Sequence, residues 1–203
     1  MRLERLSPKP DGLGRYLLRF SDGSTRRLYR QTIEDFGLYA GMELSQEELT
    51  ALEESAGEMS AKMRAVRIVT ASNVSKRDLE RRLTRKGETP ENARAAVSWM
   101  AELELVDDEK TARQIVERCI ARGYGPARAR QMLYEKQIPR EFWDEALEDY
   151  PDQSHWILDY LRTHLGENPD EKQTRRAIDA LLRRGHSFGD IHRVLGDISE
   201  FEE

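Results

Sequence analysis

The side chains in this chain best placed to do chemistry are arginines. Arg77, Arg81 and Arg85 recur at every fourth position, which stacks three guanidinium groups along one face of a helix. Arg118 and Arg122 repeat that spacing, with Arg113, Arg128 and Arg130 nearby in the chain. A guanidinium stays charged in a protein, so its chemistry is recognition: rigid N–H donors that match phosphate or carboxylate. Taken singly, each of these arginines also fits a solvated helix face, with Glu80 and Glu117 as partners.

Residues that catalyse or bind metals are few and poorly spaced. His155, His164, His186 and His192 form no HExxH pattern and none adjoins a cysteine. His186 and His192 flank an expected helix start and read as surface or capping positions. Cys119 is the single thiol, so neither an internal disulfide nor a CxxC clasp is available. It falls on an apolar helix face, where an inert core thiol is expected. Gly12-Leu13-Gly14 is no nucleotide-binding fingerprint. Glu145, Glu148, Asp149 and Asp152 lack the spacing of a calcium loop. Trp99, Trp143 and Trp156 lie on expected helices and read as packing residues. No catalytic residue, metal or cofactor is expected.

The arginines need helices to hold them, and the chain supplies helical signals almost throughout. Only the start differs. Tyr16, Leu18 and Phe20 alternate with Arg15, Leu17 and Arg19, then Ser21-Asp22-Gly23-Ser24 marks a turn. This predicts a hairpin returning over Thr25–Tyr29, with residues 2–6 as a candidate third strand. Helices are then expected over Gln31–Phe36 and from Ser45, a capping box with Glu48, to about Thr70 with a break near Gly57. Ser75 caps a helix closed by Gly87, and Thr89-Pro90 starts the next. Asp107 or Asp108 opens one ending at Gly123. Pro126 opens one to Gln137, and Pro139 one to Tyr150. Asp152 caps one to Leu165, Pro169 precedes a long one ending at Gly185, and Ser187 caps the last.

These pieces repeat. Leu79, Leu83 and Gly87 align with Ala129, Leu133 and Gln137, then with Ala177, Leu181 and Gly185, at offsets of 50 and 48 residues. The following caps, Thr89, Pro139 and Ser187, stay in register. The expected fold is therefore mostly α. Three tandem three-helix repeats form an elongated, curved body behind a small β-hairpin and helix extension. The segments are 1–57 for the extension, then 58–105, 106–150 and 151–203.

Charge follows the repeats. Lys62–Arg94 holds ten basic and four acidic residues, and Lys110–Arg130 six and one. The residues beyond Tyr150 hold seven and eleven, ending Glu200-Phe201-Glu202-Glu203. The 203-residue chain is 38% hydrophobic and 35% charged, with a net charge of −5, so it is not built to coat nucleic acid through net charge. Local basic faces, or the start of the helix at Pro126 with its free N–H groups, would have to meet an anion. Met1-Arg2-Leu3-Glu4 begins no apolar leader, and no run nears the length of a membrane span. A soluble, cytoplasmic protein is expected, and the self-capped acidic end suggests a monomer.

Leu105-Val106-Asp107-Asp108, Ala112-Arg113, Arg122-Gly123-Tyr124-Gly125-Pro126, Leu133 and Lys136 together resemble the central motif of the RecX family. Ser75, Leu79, Leu83 and Lys86-Gly87 extend the likeness upstream, over roughly residues 60–199. Thr111 stands where the family commonly has an aromatic residue, and Gln137 where it has glycine. The resemblance implies a non-enzymatic regulatory protein of DNA recombination, repair and the SOS response. Such a protein binds RecA filaments on single-stranded DNA and lowers ATP hydrolysis, strand exchange and coprotease activity. Arg77, Arg81, Arg85, Arg113, Arg118, Arg122, Arg128 and Arg130 are the candidate contacts to filament and DNA. Two other readings fit the residues: a helical-repeat protein that binds duplex DNA without a recombinase, and a protein scaffold that uses the acidic tail.

Overall fold

The computed structural model describes residues 1–166 and 169–201, with side chains through Asp197. The acidic side chains of Glu200, Glu202 and Glu203 lie outside the described ones. The chain divides into two compact units, Met1–Val106 and Asp107–Glu203.

The first unit opens with strands β1 (Leu3–Leu6), β2 (Arg15–Phe20) and β3 (Thr25–Tyr29), antiparallel in that order. The candidate third strand is thus β1, which pairs Leu3 with Phe20 and Leu6 with Leu18. Leu18 and Phe20 point inward while Leu17 and Arg19 face solvent, the period of two seen in the sequence. The turn closes by a Gly23 N–H bond to the Phe20 carbonyl at 2.9 Å. After α1 (Arg30–Asp35) comes α2 (Gln46–Ala71), which starts at a complete capping box. Ser45 Oγ accepts from the Glu48 N–H at 3.1 Å, and the Glu48 carboxylate accepts from the Ser45 N–H at 2.7 Å.

Helix α2 runs through Gly57 without a break, contrary to the sequence expectation. A Cβ at Gly57 would lie 2.6 Å from Asn92 Nδ2, so this glycine lets the helix that carries Asn92 approach closely and leaves its own helix intact. One end of α2 therefore packs on the sheet through Leu52, with Leu3, Leu18, Phe20 and Leu28. The other end, with Ala61, Ala65 and Ile68, joins α3 (Lys76–Arg85) and α4 (Pro90–Glu102) in a second core. Leu79 and Leu83 are wholly buried there, each worth about 1.5–3 kcal/mol of burial.

The second unit holds two more three-helix cores. In the first, α5 (Asp108–Ala121) and α6 (Pro126–Glu135) pack with a 3-10 turn (Arg140–Phe142) and the short α7 (Trp143–Leu147) around Ala112, Val116, Ala129 and Leu133. The sequence predicts one helix from Pro139 to Tyr150. Instead the Trp143 indole donates to the Ile138 carbonyl at 3.0 Å, while the Phe142 N–H turns to Pro139 at 3.2 Å, giving a 3-10 start. Pro151 then disfavours helix at Tyr150. In the last core α8 (Ser154–His164), α9 (Glu171–Arg183) and α10 (Phe188–Phe201) meet at Ile157, Leu161, Leu181, Ile191 and Val194. The structure is thus mostly helical, with three three-helix repeats behind a small sheet.

The middle helix of each repeat ends alike. The residue two past the C-cap donates back to the helix: Glu88 to Leu83, Ile138 to Leu133 and His186 to Leu181, at 3.0–3.2 Å. The residue between them must take a positive φ. Gly87 and Gly185 do so freely, whereas Gln137 is held at +56°.

Candidate functional site

The α3 arginine face has the geometry the spacing predicts. Ser75 caps the helix by accepting from the Asp78 N–H at 3.0 Å. Leu79 and Leu83 pin one side in the core, so Arg77, Arg81 and Arg85 stand on the exposed side. They differ in how far their charge is already neutralised. The buried Asp78 carboxylate binds both Arg81 and Arg82, the latter at 2.8 Å. The side chains of Arg77 and Arg85 have no ion pair or hydrogen bond among the described residues.

The second group divides in the same way. Arg113 bridges Glu145, at 2.6 Å, and Glu109, and these two carboxylates hold its guanidinium even more firmly protonated than usual. Arg128 faces Glu135 at 3.6 Å. Arg118, Arg122 and Arg130 are exposed, and their side chains have no ion pair among the described residues. Of the eight candidate contacts, then, Arg77, Arg85, Arg118, Arg122 and Arg130 keep their charge open to a partner.

The central motif plays a different part. Asp107 caps α5, accepting from the Lys110 N–H at 3.0 Å. Asp108 is buried beneath it, Ala112 and Leu133 are core, and Lys136 is the half-buried C-cap of α6. Gly123 and Gly125 lock the second repeat to the third. A Cβ on Gly123 would meet the Trp156 ring at 2.5 Å, and one on Gly125 would lie 2.0 Å from the Gly185 carbonyl oxygen. Backbone bonds cross at this joint: Gly125 N–H to the Arg184 carbonyl at 2.9 Å and Ala127 N–H to the Gly185 carbonyl at 3.2 Å. The start of α6, which the sequence offered as an anion cradle, therefore spends these donors on the third repeat.

Two residues of this joint escape sequence reasoning, Arg184 and His186, whereas Trp156 packs between repeats on Gly123, in keeping with its reading as a packing residue. The Arg184 guanidinium donates to the Arg122 carbonyl at 2.9 Å and lies over the rings of Tyr124 and Tyr160, at 5.4 and 5.6 Å. Tyr150 donates its hydroxyl to the Tyr124 carbonyl at 2.6 Å, and burial pushes its phenol up to about 12. His186 is a correction. Expected at the surface or as a cap, it is 4% exposed, with Nε2 3.1 Å from the Gly123 carbonyl. Burial pulls its imidazole below the usual 6.5, against that hydrogen bond. One signal could have found the joint: Arg122-Gly123-Tyr124 and Arg184-Gly185-His186 both place arginine, glycine and a ring at a helix end.

A family model described as RecX, second three-helix domain, matches residues 107–147. A "Regulatory protein RecX" of Stenotrophomonas maltophilia (strain R551-3) is 32% identical over 64% of this chain and 82% of its own length. The chain belongs to the RecX family. The RecX relative from Salmonella arizonae is also 32% identical, over 64% of this chain and 87% of its own length. Two solved RecX structures share the fold. One, at TM-score 0.65 and 19% identity, covers 96% of this chain and 98% of its own. The other, from Lactobacillus salivarius, reaches TM-score 0.63 at 15% identity, covering 71% and 98%. The relatives are named as regulatory proteins, and family membership carries that role to this chain. No helix among the described residues is long and apolar enough to cross a membrane.

Proposed function

We propose that this RecX-family chain binds the filament of a RecA-type recombinase on single-stranded DNA and lowers its ATPase, strand-exchange and coprotease activities. It acts as a cytoplasmic monomer without chemistry of its own. The observation that carries the reading is the set of arginines left without carboxylates, Arg77 and Arg85 on α3 and Arg118, Arg122 and Arg130 in the second unit, on a chain whose relatives are regulatory proteins. A guanidinium is weakly hydrated for a cation, and an unpaired one gains a charge-assisted bond on meeting a phosphate or a partner's carboxylate. Arg81, Arg113 and Arg128, already satisfied within the chain, contribute less.

Charge reversal separates the two groups. The double variant Arg77→Glu/Arg85→Glu should lose most inhibition of the recombinase ATPase while keeping its far-ultraviolet circular dichroism, because neither side chain holds the fold together. Arg113→Glu should retain more inhibition than the double variant. Full inhibition by the double variant would remove the α3 face from the binding surface.

A further inference from the structure

Tyr134 is 70% exposed, more than any other large hydrophobic or aromatic side chain among the described residues. Most other tyrosines have a role inside the fold. Tyr16 and Tyr29 accept from Arg30 and Arg67, Tyr150 donates to a carbonyl, and Tyr124 and Tyr160 lie beneath Arg184. The Tyr134 side chain has no hydrogen bond and no ring contact among the described residues. A bare ring on a helix offers a flat apolar face that a ligand can cover.

Its surroundings indicate the ligand. Helix α6 buries Ala129 and Leu133, which leaves Arg130, Gln131 and Tyr134 on the solvent side. Arg130 stands one turn before Tyr134, close enough on a helix for both to contact one ligand. The single carboxylate of α6, Glu135, faces Arg128 at 3.6 Å, so Arg130 keeps its charge. A flat ring beside an unpaired cation matches a nucleotide, with a base face for the ring and a phosphate for the guanidinium. In a duplex both faces of each base are already stacked, so the ligand is single-stranded.

We propose that Arg130 and Tyr134 form a subsite for single-stranded nucleic acid, in which the Tyr134 ring stacks on one base and Arg130 contacts the adjoining phosphate. The subsite rests on the reading that this chain works on a recombinase–DNA filament, and it names the element that touches the strand.

The test is fluorescence anisotropy of a labelled single-stranded oligothymidylate, titrated with the full chain at several salt concentrations. Tyr134→Ala should weaken binding about tenfold with an unchanged salt slope, because stacking releases no counterions. Tyr134→Phe should bind like the unaltered chain. Arg130→Ala should flatten the slope of log K against log salt by about 0.7. Equal binding by Tyr134→Ala overturns the subsite, as does an equal loss on duplex DNA or no binding by the unaltered chain. A Tyr134→Ala variant that binds the oligonucleotide normally yet captures recombinase poorly would assign the ring to a protein partner instead. The two readings fail separately, because inhibition of the recombinase ATPase can persist without this subsite.

Discussion

Replacing Gly125 by alanine should part the third repeat from the second. At φ −81° this position tolerates any residue, so the added methyl group meets only a steric conflict. The methyl would lie 2.0 Å from the Gly185 carbonyl oxygen, 2.3 Å from its carbon and 2.5 Å from the His186 nitrogen. All three are backbone atoms, so no side chain can rotate away and the two chain segments must separate. Separation puts four hydrogen bonds at risk: Gly125 to Arg184, Ala127 to Gly185, Arg184 to Arg122 and His186 to Gly123, at 2.9–3.2 Å. At about 1 kcal/mol each they set a ceiling of about 4 kcal/mol, and overpacking alone costs about 1–3 kcal/mol. A loss of about 2–3 kcal/mol is expected, lowering the melting temperature by about 10 °C in a unit of this size. The control is Gly57→Ala. Its methyl meets only the end of the Asn92 side chain, which can rotate, and alanine gains about 0.5–1 kcal/mol inside a helix. Thermal melts by circular dichroism give both signs, and hydrogen exchange should place the Gly125→Ala loss in α8 and α9 while α2–α4 stay protected. A Gly125→Ala melt within about 2 °C of the unaltered chain would refute the reasoning.

Gln137→Gly should stabilise the chain by about 1 kcal/mol in urea titrations, because it relieves a left-handed residue at +56°. No gain would mean that the side chain repays the strain. His186 predicts a pH dependence. Its imidazole titrates below 6.5 in the fold and near 6.5 once unfolded, so the unfolded chain takes up more protons as pH falls. Its contribution is complete above 6.5 and declines below that value toward the lower folded one. The urea midpoint should therefore drop from about pH 7.5 to about pH 5.5, and His186→Gln should reduce the drop. An equal drop in that variant would assign the effect to other groups.

What could be read from the sequence was local. The capping box of Ser45 and Glu48, the caps at Ser75 and Asp107, and the prolines at 90 and 126 act within one helical turn, so their spacing specifies them. The repeat register also came through, because each repeat buries the same positions of its middle helix. The α3 arginines followed once Leu79 and Leu83 fixed the inward face. What stayed hidden depends on segments far apart in the chain. Arg184 reaches a carbonyl 62 residues away, and His186 is buried by that docking rather than by its neighbours in sequence. Gly123 and Gly125 were visible as a motif, but their purpose lay in Trp156 and Gly185. Gly57 read as a helix break for the same reason, its partner Asn92 lying on another helix. Ion pairing was equally invisible: the sequence could not tell Arg113, held by Glu145, from Arg118, which is open.

The central claim is tested most directly by the ATPase rate of the cognate RecA-type recombinase on single-stranded DNA, titrated with this chain well below one copy per recombinase protomer. The account predicts a steep fall in rate at that ratio. An unchanged rate when the chain is added in equal amount would contradict it.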